Sequence, residues 1–117
     1  MMWPIASGVK VYLATGITDM RKSINTLAIM VAEQMDLDPL SGHLFAFCNR
    51  KRDTVKALYW DRNGFCLWHK RLERDKFQWP QTTGEAECIS MRQLGWLLEG
   101  LSLTQPAHET LKYAIVR

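Results

Sequence analysis

Residues 43–80 read HLFAFCN, RKRD, TVKALYW, DRNG and FCLWHKRLERDKFQWP, and this alternation of apolar runs and polar breaks decides the fold. Phe, Tyr, Trp and Val dominate the runs, as suits a pleated, half-buried surface. Asp61-Arg62-Asn63-Gly64 is a strong hairpin signal, because Asn and Gly tolerate the positive φ of tight turns. Arg50-Lys51-Arg52-Asp53 is a weaker turn signal of the same length. The pattern predicts a three-stranded antiparallel meander with strands 43–49, 54–60 and 65–71.

Strand alternation then sorts the side chains. Phe45, Phe47, Leu58, Trp60, Phe65 and Leu67 fall on one face. Leu44, Ala46, Cys48, Val55, Ala57, Tyr59, Cys66 and Trp68 fall on the other. The first face is bulkier and is the expected main core. A sheet apolar on both faces is covered on both, or offers one to a partner.

The meander also predicts where charge collects. Its first turn and the end of its third strand lie at the same edge, so Arg50, Lys51 and Arg52 should meet Lys70 and Arg71. Residues 50–76 hold nine Lys/Arg against four Asp/Glu, a net of +5. The whole chain of 117 residues carries +3, so the remainder sums to −2.

Working outward, Val9, Val11 and Leu13 alternate with Lys10, Tyr12 and Ala14, which predicts a strand over 9–14. Thr15-Gly16-Ile17-Thr18 should break it. Met20, Ile24, Leu27, Ala28, Val31 and Met35 recur at helical spacing, predicting an amphipathic helix over 19–34 capped by Thr18 or Asp19. That helix would hold Arg21 and Lys22 in its first turn, against the helix dipole. A site demand and simple solvent exposure beside Asp19 both account for them. Residues 81–88 read as a polar loop. Ser90-Met91-Arg92-Gln93 matches a capping box, Leu94, Leu97 and Leu98 continue an apolar stripe, and Gly100 is a natural stop.

The expected fold class is therefore α+β: an antiparallel meander with one additional strand, an N-terminal amphipathic helix on the Phe45/Phe47/Trp60 face, and a second helix near the C-terminus. Length suits one domain over 1–117, with 1–8 and 102–117 as candidate flexible ends and a weak last turn at 109–115. No apolar run approaches the roughly 20 residues of a membrane span. Met-Met-Trp-Pro is no signal peptide, so a cytoplasmic location is expected. Cys48, Cys66 and Cys88 lack metal or disulfide spacing and read as free thiols; no cofactor or metal is expected.

Asp19, Asp53, Asp61 and Glu73 are the carboxylates a metal-dependent nuclease would need, but turns and caps account for them. No phosphate loop or nucleophile elbow is present. No catalytic set is expected. Arg50, Lys51, Arg52, Lys70 and Arg71, with Arg21 and Lys22, form the candidate phosphate-binding group. A solvated turn remains open for Arg50, Lys51 and Arg52. Tyr59, Trp68 and Trp79 are candidates for base stacking or an interface, with core packing as the alternative.

Four segments carry a resemblance: LATGITDMRKSI (13–24), DPLSGHLFAFCNRKRD (38–53), KALYWDRNGFCLWHKRLER (56–74) and FQWP (77–80). Over about Val9 to Leu103 the chain resembles the small accessory protein TnpB. That protein is the second reading-frame product of the insertion-sequence-sixty-six class of bacterial transposable elements. By position, the family's characteristic residues are Thr18 to Lys22, Gly42, Phe45, Phe47, Asn49, Arg50, Lys56, Leu58, Trp60, Asp61, Gly64, Lys70, Arg71, Leu72, Trp79 and Pro80. Ile17 stands where Pro is usual, Ser23 and Asp75 where Gly is common, and Cys66 where an aromatic is common. The resemblance implies a role in transposition beside a larger transposase that carries the catalytic carboxylates. DNA at the element ends and that transposase are the implied partners. Direct DNA binding and a protein–protein adaptor role both remain open.

Overall fold

The computed structural model describes residues 8–81 and 86–103. Of the candidate flexible ends 1–8 and 102–117, residues 1–7 and 104–117, with the turn at 109–115, lie outside the described residues. The elements run β1 (Val11–Ile17), α1 (Ile24–Glu33), β2 (Leu44–Cys48), β3 (Thr54–Asp61), β4 (Gly64–Arg71), β5 (Ala86–Ile89) and α2 (Met91–Leu98). The strands form one mixed sheet in the order β4-β3-β2-β1-β5, an α+β arrangement.

β3 pairs antiparallel with both β2 and β4. The eight-residue β3 and β4 close on Asp61 opposite Gly64. The left-handed residue of that turn is Arg62 (φ 55°), not Asn63 or Gly64. β1 lies beside β2 and runs parallel to it. Parallel neighbours require a crossover, which residues 18–43, including α1, supply.

Three local expectations are corrected. Thr15-Gly16 does not end β1. The pairing with β2 slips between Leu13 and Ile17, so the glycine marks a bulge and the strand resumes, as isolated strand glycines often do. The helix starts at Ile24 with Ser23 as its N-cap, not at 19. Asp19 instead closes a tight turn: its carboxylate accepts from the Arg21 amide (2.9 Å) and its carbonyl from the Lys22 amide (3.2 Å). Arg21 and Lys22 therefore precede the helix, so they are not placed against its dipole from within. Finally, the polar 81–88 segment contains the start of β5, which pairs antiparallel with β1 from Ala14–Ala86 to Val11–Ile89. A four-residue edge strand with Glu87 and Cys88 has too little apolar alternation to read from sequence.

Both sheet faces are buried, and the main core is not the expected one. Leu27 and Val31 of α1 pack with Phe45, Phe47 and Leu58 on one face, a group of seven buried residues. The opposite face gathers fourteen. There the small residues Ala46 and Ala57 leave room for Phe77, Trp79, Leu94, Leu97 and Leu98, brought in by the chain after β4 and by α2. Trp60 stays half-buried, edge-on to Phe65 at 5.1 Å. At α2 the Ser90 hydroxyl accepts from the Gln93 amide (3.1 Å) and the Gln93 side chain accepts from the Ser90 amide (2.9 Å), a capping box. Its other end is a Schellman motif: Gly100 takes φ 86° and the Leu101 amide reaches the Trp96 carbonyl at 2.8 Å.

Candidate nucleic-acid interface

Strand direction fixes one end of the sheet as basic. β1, β2 and β4 all finish there and β3 begins there, since Thr54 pairs with Arg71 and Val55 with both Lys70 and Cys48. The 50–53 turn and the Lys70–Arg71 strand end are thus neighbours, and the Leu72 amide bonds the Asp53 carbonyl at 2.7 Å. The 18–22 turn joins the same end through the Thr18 amide, which donates to the Cys48 carbonyl at 2.9 Å.

The turn that carries Arg50, Lys51 and Arg52 is held by Asn49. Its amide nitrogen donates to the Asp53 carboxylate (2.8 Å), and its side-chain oxygen accepts from the Asp53 and Thr54 amides (3.1 Å each). Thr54 adds its hydroxyl to the same carboxylate at 3.1 Å. These bonds, led by the one from Asn49, hold Asp53 below its ordinary carboxylate range. Arg50 and Lys51 at the turn are exposed. Arg52 is half-buried and takes φ 60°. Its amide bonds the Asn49 carbonyl and its carbonyl accepts from Phe77 at 2.7 Å. A side chain at positive φ is disfavoured by roughly 1–2 kcal/mol, and local hydrogen bonds over-determine it here.

The other cations differ in availability. Arg71 is exposed and ion-paired to Glu73 at 3.1 Å, with both partners open to solvent. Arg21 forks onto Asp19 at 2.7–3.1 Å, and this contact holds Asp19 well below the usual carboxylate range. Lys22 is half-buried. Lys70 turns away from the end toward the α2 face, where its ammonium donates to the Leu98 carbonyl at 2.8 Å. A cation there also complements the negative end of α2. Arg50 and Arg52 border a notch of about 210 Å³ with Thr15, Gly16, Asn49 and Gln81. That is below the ~300 Å³ of a typical small-ligand pocket.

The aromatic candidates separate. Tyr59 (8 % exposed) and Trp79 (5 %) are core residues, in line with the packing alternative left open for them. The Trp79 indole N–H donates to the Ala14 carbonyl at 2.9 Å, tying the 77–81 segment to β1. Trp68 is half-buried and borders an open groove beside α2. Lys56 was not singled out by charge alone, yet its ammonium donates to the Met20 carbonyl (2.6 Å) and the Lys22 carbonyl (3.3 Å), fixing the 18–22 turn. A lysine at a half-buried strand position is the signal that could have found it. Cys48, Cys66 and Cys88 are free thiols, and burial pushes Cys48 up to about 12. Among the described residues no three of His, Cys, Asp and Glu gather as a metal-binding group. No described helix is long and apolar enough to cross a membrane.

Comparison with known proteins agrees over most of the chain. No solved structure matches it. Two proteins of Sinorhizobium fredii (strain NBRC 101917 / NGR234) are similar over 105 residues each. "Uncharacterized protein y4hO" is 43 % identical, covering 90 % of this chain and 91 % of its own. "Uncharacterized protein y4jC" is 30 % identical, covering 90 % of both. The family described as IS66 Orf2 like protein matches residues 9–108, a span that holds the whole described sheet and the basic turns at its end. The chain therefore belongs to the IS66 Orf2-like family of accessory proteins, whose role is tied to insertion-sequence transposition.

Proposed function

We propose that the protein assists transposition without catalysis, by binding DNA of the element ends through the basic end of its sheet. Strand pairing that sets the 50–53 turn beside the end of β4 carries this reading. Arg50, Lys51 and Arg71 are exposed there, and phosphates need several such cations on one surface. Lys70 and Arg21, already engaged within the protein, act as supports. The transposase supplies the chemistry.

Salt titration of affinity for element-end duplex tests the proposal. The logarithm of affinity should fall with that of salt by about 0.9 per contacted phosphate. Replacing Arg50, Lys51 and Arg52 together with Ala should weaken binding and flatten the slope by up to about three units. Negligible duplex binding at physiological salt, with capture of the transposase intact, would overturn the proposal.

An adaptor role is the second reading, and one apolar feature favours it. Ile17 is 57 % exposed and borders a cleft of about 450 Å³ with Met30 and Met35. The half-buried Met30 is a flexible side chain of the kind that adapts to a protein partner. Under this reading Ile17→Ser weakens transposase capture and leaves DNA affinity unchanged.

A further inference from the structure

Beside the basic end, between β4 and α2, runs an open groove of about 710 Å³ bordered by Trp68, Lys70, Arg92, Gly95, Trp96 and Glu99. Two periodicities build it. Trp68 and Lys70 are two apart on β4 and share a face; Arg92 and Trp96 are four apart on α2 and share a side. The apolar stripe Leu94, Leu97 and Leu98 faces the core. Trp96 does not: among the described residues it belongs to neither core cluster, and it is half-buried. The Arg92 guanidinium lies 5.7 Å from the Trp96 ring centroid. A side chain at Gly95 would meet nothing within 4 Å, so the glycine keeps the groove open where a larger residue would fill it.

We propose that this groove takes unstacked bases of single-stranded or frayed DNA, with Trp96 as the stacking face, Trp68 as a wall packed against the core, and Arg92 as the flanking cation. This rests on the DNA-binding reading above and extends it from phosphates to bases. The volume admits a nucleotide. Indole faces stack on any base, and an arginine stacked on such a face adds a cation to the same platform. Lys70 borders the groove and pairs with Val55 beside the 50–53 turn, so the groove opens next to the basic end. Glu99 at the rim disfavours a phosphate there and leaves the cationic path at Arg92.

The test compares a single-stranded oligonucleotide with the duplex of the same sequence at one salt concentration, using the full chain. Wild type should prefer the single strand by about tenfold or more, within the range measured for one base–aromatic stack. Trp96→Ala and Gly95→Leu should each abolish that preference and leave duplex affinity within about twofold. Gly95→Leu removes no aromatic group and, in a helix, no favourable backbone, so it separates groove filling from misfolding; circular dichroism checks each variant. Equal affinity of wild type for both forms, insensitive to Gly95→Leu, overturns the groove proposal and leaves the phosphate reading standing. Absence of binding to either form overturns both. Loss of transposase capture in Gly95→Leu with unchanged DNA affinities also overturns it, marking the groove as a protein site.

Discussion

The Asn49 side chain donates to the Asp53 carboxylate at 2.8 Å while accepting from the amides of Asp53 and Thr54. One neutral residue thus closes the turn from which three consecutive cations project. Asn49→Ala leaves two backbone amides and a carboxylate without these partners. A loss of about 2–3 kcal/mol is expected, since each unmade bond at a partly buried site costs about 1 kcal/mol or more. Chemical denaturation measures it. DNA affinity should fall as well, because the cations lose their fixed spacing.

Arg52 sets stability against binding at a single residue. Its φ of 60° suits glycine. Arg52→Gly should therefore raise stability, by up to about 1 kcal/mol, while lowering duplex affinity and the salt slope by about one contact. Paired denaturation and salt-titration curves decide it. Unchanged affinity in the stabilised variant would remove Arg52 from the interface.

Acid should loosen the same end. Asn49 and Thr54 hold Asp53 below its ordinary range, and Arg21 does so for Asp19. A carboxyl with a lower pKa folded than unfolded favours the fold when ionised. Its contribution is complete above the unfolded value of 3.8 and is lost as pH falls through the folded values. Stability should decline below about pH 4, and Asp53→Asn should flatten that limb. Thermal unfolding across this range checks the slope.

Phe47 is fully buried on the α1 face, in one cluster with Phe45, Leu58, Leu27 and Val31. Phe47→Ala should cost about 3–5 kcal/mol. Because α1 packs in the same cluster, loss of helical signal from α1 should accompany the loss of stability.

Lys56 joins the sheet to the crossover. Its ammonium holds the Met20 and Lys22 carbonyls, so Lys56→Met keeps the stem and strands two acceptors. The variant should lose about 1–3 kcal/mol and release Arg21 and Lys22 from their place. Hydrogen exchange at the Thr18 and Lys22 amides should quicken first.

Local pattern was enough for the hairpins, the sidedness of β2 to β4, the capping box at Ser90 and the adjacency of the two basic segments. Each depends on periodicity or turn chemistry within about thirty residues, and backbone geometry converts that directly into place. The resemblance segments likewise named Asn49 and Lys56 without saying what they do. Tertiary structure decided the rest. A parallel partner for β1 and the short edge strand β5 are long-range pairings, for which the chain carries no spacing signal. The larger core formed on the face with the smaller sheet residues, because Ala46 and Ala57 leave volume that Phe77, Trp79 and α2 come from elsewhere to fill. Equal-looking cations were divided by contacts across the fold. Lys70 reaches the Leu98 carbonyl and Arg21 forks onto Asp19, while Arg50 and Lys51 stay exposed. Charge is written in the sequence, but whether a charge faces solvent or a carbonyl is settled only by what packs beside it.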